Sequence, residues 1–199
     1  MSESWMLARL QKATELYHGA ASAQRLELIG GAVTVDRYRG FLDRVHGFEM
    51  PVEAALTLTL GLDDVLDLRG RNQIRLLRAD LRGLGVGDPA TLPRCLSVPI
   101  HDVPEALGWV YAVERNTALH GVLERHLHDR LPDVMRQAGS YLAVQERSVG
   151  ARMRDLGHAL DSVATRPAIA DRIIHGAKAA FRHQRSWYEL TESWSRAAS

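Results

Sequence analysis

Leu107-Gly-Trp-Val-Tyr-Ala-Val-Glu-Arg-Asn-Thr-Ala-Leu-His-Gly-Val-Leu-Glu-Arg-His-Leu127 is the stretch on which the fold turns. Its first two turns are apolar around most of the circumference, as expected of a central, buried helix. It shows no strict alternation, and it is far longer than a buried strand. Glu114, Arg115 and Asn116 then interrupt the apolar surface. Two readings of that triplet stand side by side. Either the helix emerges into solvent there, leaving Glu114 an ordinary exposed carboxylate, or a polar triplet in the middle of a central helix lines a pocket.

The same helical period governs the rest of the chain. Residues 2–21 carry Leu7, Leu10, Thr14, Tyr17, His18 and Ala21 on one stripe, with Arg9, Lys12 and Glu15 opposite. After Gly30-Gly31, Thr34 or Asp36 caps a second helix with Tyr38, Phe41, Leu42 and Val45 on its inner face, and Pro51 kinks or restarts it. Asp63 or Asp64 is expected to cap a third, with Leu66, Ile74, Leu77 and Leu81 inward and Arg69, Arg71, Arg75 and Arg78 solvated. Three glycines and four prolines mark 83–104 as one long loop. Helices follow at about 103–129, 131–146, 148–162 and 167–193, with Pro132 and Pro167 in first-turn positions where proline is tolerated. No internal repeat and no sheet pattern emerges. The expectation is all-α, a single multi-helix domain over 1–199.

Composition narrows the function. The 199 residues are 46% hydrophobic, enough for a real core, and 25 Lys+Arg against 24 Asp+Glu argue against a nucleic-acid binder. One cysteine excludes an intrachain disulfide and a Cys-based zinc cluster. The N-terminal residues do not resemble a signal peptide, and no apolar run approaches a membrane span. The expected setting is cytoplasmic, away from membranes, with Cys95 reduced.

Nine histidines are the notable reserve of chemistry. His18 sits on the apolar stripe of the first helix, either as a core histidine bonded to a carbonyl or as an axial iron ligand. His120, Glu124 and His128, with His126 beside them, share helical spacing that a metal site would use, but their charged surroundings favour a solvated face. Arg152/Arg154 with His158, and Lys178/Arg182/Arg185, could grip a carboxylate or phosphate, or be ordinary surface charge.

The order of segments resembles the haem oxygenases. Leu10-Gln-Lys-Ala-Thr-Glu-Leu-Tyr-His18 is similar to their L-R-x-x-T-x-x-x-H signature, with His18 at the proximal-ligand position. Tyr38-Arg-Gly-Phe-Leu-Asp-Arg-Val-His-Gly-Phe-Glu-Met-Pro51-Val-Glu resembles Y-x-x-x-L-x-x-x-Y-x-F-x-x-P-x-E. Arg78-Ala-Asp-Leu-Arg-Gly-Leu-Gly85 resembles the D-L-x-x-L-G before a long loop, and Leu107–Glu114 the L-G-x-L-Y-V-L-E opening the distal helix. Arg166–Phe181 is similar to the final helix, whose aromatic, here Phe181, contacts the porphyrin. The likeness spans almost the whole chain and is closest to the compact bacterial forms associated with bacteriophytochromes.

The resemblance implies haem as both substrate and cofactor, His18 on the iron, and O2 with an external electron donor, a reductase or ferredoxin. The products would be biliverdin, CO and Fe2+, with a bacteriophytochrome as a further partner. Tyr111, Arg115, Leu119 and His120 would line the distal side, Asn116 would organise the distal water, and Arg115 or Arg154 would meet a propionate. The family's G-S-x-L-G-G is replaced after Glu114 by Arg115-Asn-Thr-Ala-Leu-His120, which puts side chains at all three glycine places. Ser22 stands where an acidic residue often follows the proximal His, and Gln11 where a basic one lies near the propionates. A glycine where backbone approaches a ligand has a direct steric reason, since any Cβ intrudes. The alternative expectation is therefore a catalytically impaired relative that binds haem, another ligand or a protein partner without turnover, with His120 a candidate sixth iron ligand.

Overall fold

Ser4 starts the first helix: its hydroxyl accepts the Leu7 N–H at 3.2 Å, and α1 runs from Trp5 to Gly30. The computed structural model describes residues 4–197, with the side chains of 144–148 and 192–197 left aside. The remaining helices are α2 (Val35–Thr57), α3 (Ile74–Gly83), α4 (Val103–Asn116), α5 (His120–Arg130), α6 (Pro132–Ala138), α7 (Ser140–Val163) and α8 (Pro167–Ala197). Among the described residues there is no strand, in line with the all-α expectation.

Several boundaries differ from the sequence expectation, each for a local reason. α1 continues nine residues past Ala21 because Gln24, Arg25 and Leu28 extend its inner face and are buried. α2 is capped by Thr34, whose hydroxyl accepts the Arg37 N–H at 3.2 Å, and it passes through Pro51 without ending. Proline removes one helical donor, here the partner of the Gly47 carbonyl. That carbonyl instead accepts the Cys95 N–H at 2.9 Å, so the missing bond is replaced by a strap from the long loop. Asp63 and Asp64 cap no helix: 58–68 form turns, and α3 begins only at Ile74. Its first amides are met from α2, where Glu53 Oε2 accepts the Gln73 and Ile74 N–H groups at 3.1 and 3.4 Å.

The continuous helix expected over 103–129 is interrupted. Asp102 caps α4, and a 3-10 turn at Thr117–Leu119 separates α4 from α5. Thr117 Oγ1 donates to the Glu114 carbonyl at 2.7 Å, a local bond that competes with helix continuation. Farther on, α6 stops at Gly139 and α7 runs unbroken through the boundary expected near 147. Asp80, fully buried on α3, accepts the Ser140 and Tyr141 N–H groups at 3.1 and 2.8 Å and so anchors the start of α7.

The core forms two apolar clusters. One joins α1, α4 and α8 through Leu10, Trp109, Ile173 and Phe181; the other joins α2, α3, α5 and α7 through Phe41, Leu77, Leu127 and Leu142. α4 and α8 meet backbone to backbone. A Cβ on Gly108 would strike the Ile173 carbonyl and lie 2.5 Å from the Ala177 nitrogen, and one on Gly176 would strike the Glu105 carbonyl. Two glycines are what lets these helices cross so closely.

Candidate functional site

His18 is half-buried on the inner side of α1, one turn beyond Thr14. Its Nε2 lies 3.0 Å from Thr14 Oγ1, and that hydroxyl donates to the Leu10 carbonyl at 2.7 Å. Having spent its proton there, Thr14 accepts the imidazole N–H, which leaves the ring's lone pair on Nδ1. The Phe181 ring sits 5.8 Å from the imidazole centroid and stacks on Tyr17 at 6.0 Å. Burial, and after it the Arg115 charge, hold the imidazole below its usual pKa against the opposing pull of Glu15. A neutral imidazole tied through one nitrogen is the form that ligates a metal.

Tyr111 approaches from α4. Its hydroxyl is 3.5 Å from Thr14 Oγ1, and its ring meets Phe181 edge-on at 6.4 Å. Arg115, one turn on, is half-buried and within electrostatic reach of both His18 and Tyr111. Asn116 is 6% exposed, and its Oδ1 has no hydrogen-bond partner among the described residues. The structure therefore brings together His18, Tyr111, Arg115 and Phe181. Arg154 is exposed on α7, and among the described residues no hydrogen bond or ion pair joins it to this group.

The segment replacing the family's glycines shows how their absence is accommodated. Leu119 has φ −97° and no non-glycine residue in the described chain has positive φ, so the turn needs no glycine conformation. The helix is broken by the 3-10 turn instead. Leu119 is half-buried. His120 is wholly buried, its Nε2 accepting from Arg25 Nε at 3.4 Å and its ring edge-on to Tyr141 at 5.2 Å. Burial first, and then the Arg25 and Arg152 charges, keep it neutral. As a sixth iron ligand it would have to leave this enclosure. His126 and His128 lie along α5, half-buried and exposed, and no group of three or more potential ligands gathers to hold a metal among the described residues.

Sequence reasoning missed the interior charge. Glu114 is 2% exposed and holds Arg152 through Nε and Nη2 at 3.0 and 2.9 Å. Arg71, expected in solvent, pairs with the same carboxylate and donates to the Arg152 carbonyl at 2.8 Å. Glu49 accepts the Tyr141 hydroxyl at 2.9 and 3.0 Å, and burial raises its pKa to about 7 with Arg25 the largest opposing influence. His46, also buried, takes Arg78 Nε at 3.4 Å. Glu114 and His46 fall within segments that carry the resemblance, but those patterns do not indicate an interior charge pair; the helical phase of Glu49 and His46 on the inner face of α2 is the signal that could have found those two.

No protein-family model matches the sequence, and no curated protein matches it either. A solved structure does: the heme oxygenase of Neisseria meningitidis, described in its NO- and CO-bound forms, is similar over 94% of this chain and 91% of its own, at 20% identity and a TM-score of 0.76. The chain has the all-α fold of that heme oxygenase.

Proposed function

We propose that the chain binds haem on the inner face of α1, with His18 as the iron ligand and Phe181 against the ring. The carrying observation is the Thr14–His18–Phe181 arrangement: a neutral imidazole, anchored through one nitrogen at 3.0 Å, beside an aromatic wall. The residues present fit this group on the His18 side. Bound haem, reduced by a reductase or ferredoxin, supplies O2 activation, and the reaction that follows from the resemblance is cleavage to biliverdin, CO and Fe2+. Thr14 fixes the imidazole's tautomer. Arg115 offers a half-buried cation to a propionate, and the unpartnered Asn116 Oδ1 offers an acceptor to a distal water. Such a chain would work in the cytoplasm, with a bacteriophytochrome as consumer of the product. No helix among the described residues is long and apolar enough to cross a membrane.

A second reading has its own observation. Thr14–Tyr111 and Arg25–His120 tie α1 to the opposing helices on either side of His18, and Arg115 and Leu119 bring side chains where the family uses glycine. That arrangement favours a protein that holds haem without cleaving it.

Titration of the purified protein with hemin, followed by ascorbate under air, separates the readings. A Soret band decaying to a biliverdin spectrum supports cleavage, and a Soret band stable to reductant supports the second reading. An absent Soret shift, or one unchanged in His18→Ala, overturns haem ligation by His18.

A further inference from the structure

Residues 90–97 of the long loop and one stripe of α8 enclose a groove of about 750 Å3. On the helix side His183, Ser186, Trp187 and Leu190 recur at three- and four-residue spacing, so a single face of α8 forms that wall. Both walls are fixed to α2. The Cys95 N–H donates to the Gly47 carbonyl at 2.9 Å, and the Trp187 indole N–H to the Arg44 carbonyl at 2.9 Å. A Cβ on Gly47 would strike both the Trp187 ring and the Pro93 carbonyl, so this glycine lets loop and helix close on the same turn of α2. The groove is therefore held open before anything enters it.

Its lining is mostly apolar and carries one sign of charge. Trp187 has spent its side-chain donor on Arg44, which leaves the ring as apolar surface. Leu96 is 98% exposed on the loop wall and Leu190 47% exposed on the helix wall, so two large side chains stand in water across from each other. Arg94 lines the same groove, is exposed, and makes no ion pair with any described residue. No acidic side chain lines it. A preformed, largely apolar concavity with few polar groups is the usual form of a small-molecule site, and an unpaired guanidinium beside it selects for negative charge.

We propose that this groove binds an anionic amphiphile, a medium-chain carboxylate, with its apolar body between Leu96, Trp187 and Leu190 and its head group on Arg94. Guanidinium meets a carboxylate through two parallel hydrogen bonds, and seating the chain takes Leu96 and Leu190 out of water along with it. A cationic amphiphile gains the second interaction and not the first. The site is independent of haem ligation, because His18, Tyr111 and Arg115 are not among its walls.

Calorimetric titration of the full chain with hexanoate, octanoate and decanoate, each below its micelle concentration, tests this. Each added methylene should tighten binding about three- to fourfold. Decyltrimethylammonium should bind more weakly than decanoate by about tenfold or more. Arg94→Glu should reverse that preference, and Ser186→Glu, an acid on the facing wall, should weaken decanoate by about tenfold or more. Both positions are exposed, so each variant should melt near the wild-type temperature. Decanoate binding should persist in His18→Ala. No saturable binding of decanoate, or binding indifferent to both Arg94→Glu and Ser186→Glu, would overturn the proposal. So would concentration-dependent dimerisation abolished by Ser186→Glu, which would give the groove to a second copy of the chain.

Discussion

Arg25 Nε donates to His120 Nε2 across 3.4 Å, joining α1 to α5 seven residues beyond His18 on the same helix. Thr14 and Tyr111 make the corresponding contact four residues before it. His18 thus stands inside a frame whose two ties are about 16 Å apart along α1, at 1.5 Å per residue.

His120 belongs to that frame and is therefore not expected to ligate iron. His120→Ala should destabilise the protein by about 2–4 kcal/mol, combining a cavity against Tyr141 with the lost acceptor of a buried guanidinium. The low-temperature EPR spectrum of the hemin complex should be the same in wild type and variant. Conversion from low spin to high spin in His120→Ala would show that the histidine had been an iron ligand after all.

Glu114 pairs with both Arg71 and Arg152 in a setting where all three are largely buried. Glu114→Ala removes the carboxylate that both cations share and should cost about 3–5 kcal/mol in urea unfolding. The exposed Arg9–Asp171 pair, at 2.6 Å, should give less than about 1 kcal/mol on loss of Arg9. Equal costs for the two pairs would contradict the burial argument.

Acid should affect two groups on α2 in opposite senses. Glu49 titrates at about 7 in the fold against an ordinary 4.5, because burial disfavours its charge. Between those values the native state keeps a proton the unfolded chain has released. Its contribution is therefore complete below about 4.5 and lost as pH rises to about 7. Relative to Glu49→Gln, the wild type should gain about 1–3 kcal/mol on going from pH 7.5 to pH 5. A gap that stays constant with pH would refute this.

His46 moves the other way. Burial, with Arg78 second, lowers it to about 4 from 6.5, so the unfolded chain takes up a proton the native state refuses. Stability from this group is present above about 6.5 and is lost as pH falls toward 4. His46→Gln keeps an acceptor for Arg78 and should flatten that loss, measured by thermal melts between pH 4.5 and 7.

Gly108→Ala should be poorly tolerated, since its Cβ would strike the α8 backbone, which has no rotamer to turn away. Overpacking of this kind costs about 1–3 kcal/mol or more. Gly19→Ala, where nothing lies within 4 Å, should be neutral or slightly stabilising in the same melt.

What could be read from the sequence is what is local in it. Thr34 and Asp102 are caps because their hydrogen-bond partners lie three residues ahead, and Pro132 and Pro167 open helices because proline is harmless in a first turn. His18 and Phe181 were legible through phase and resemblance, and they do meet. The start of α3 was not legible, since the carboxylate that holds it, Glu53, comes from 20 residues away. Nor was the start of α7, held by Asp80 from 60 residues away. The interior charge escaped for the same reason. Arg152 read as a side chain able to grip a carboxylate, but nothing in the local sequence identified Glu114, 38 positions earlier, as that carboxylate.

The crossing of Gly108 and Gly176 has a consequence for how anything large gets in. Two helices in contact through their backbones cannot be wedged apart without breaking the contact along its length, so α4 and α8 behave as one wall. The start of α1 is equally fixed, with Asp161 accepting the Ser4 hydroxyl and the Met6 N–H at 2.8 and 3.1 Å. Beyond Arg25, the outer end of α1 is held by Leu28, buried in the second apolar cluster, before the chain reaches Gly30-Gly31. Any widening that a planar guest needs must therefore come from the α1 side, because the α4–α8 wall cannot yield without losing its backbone contact.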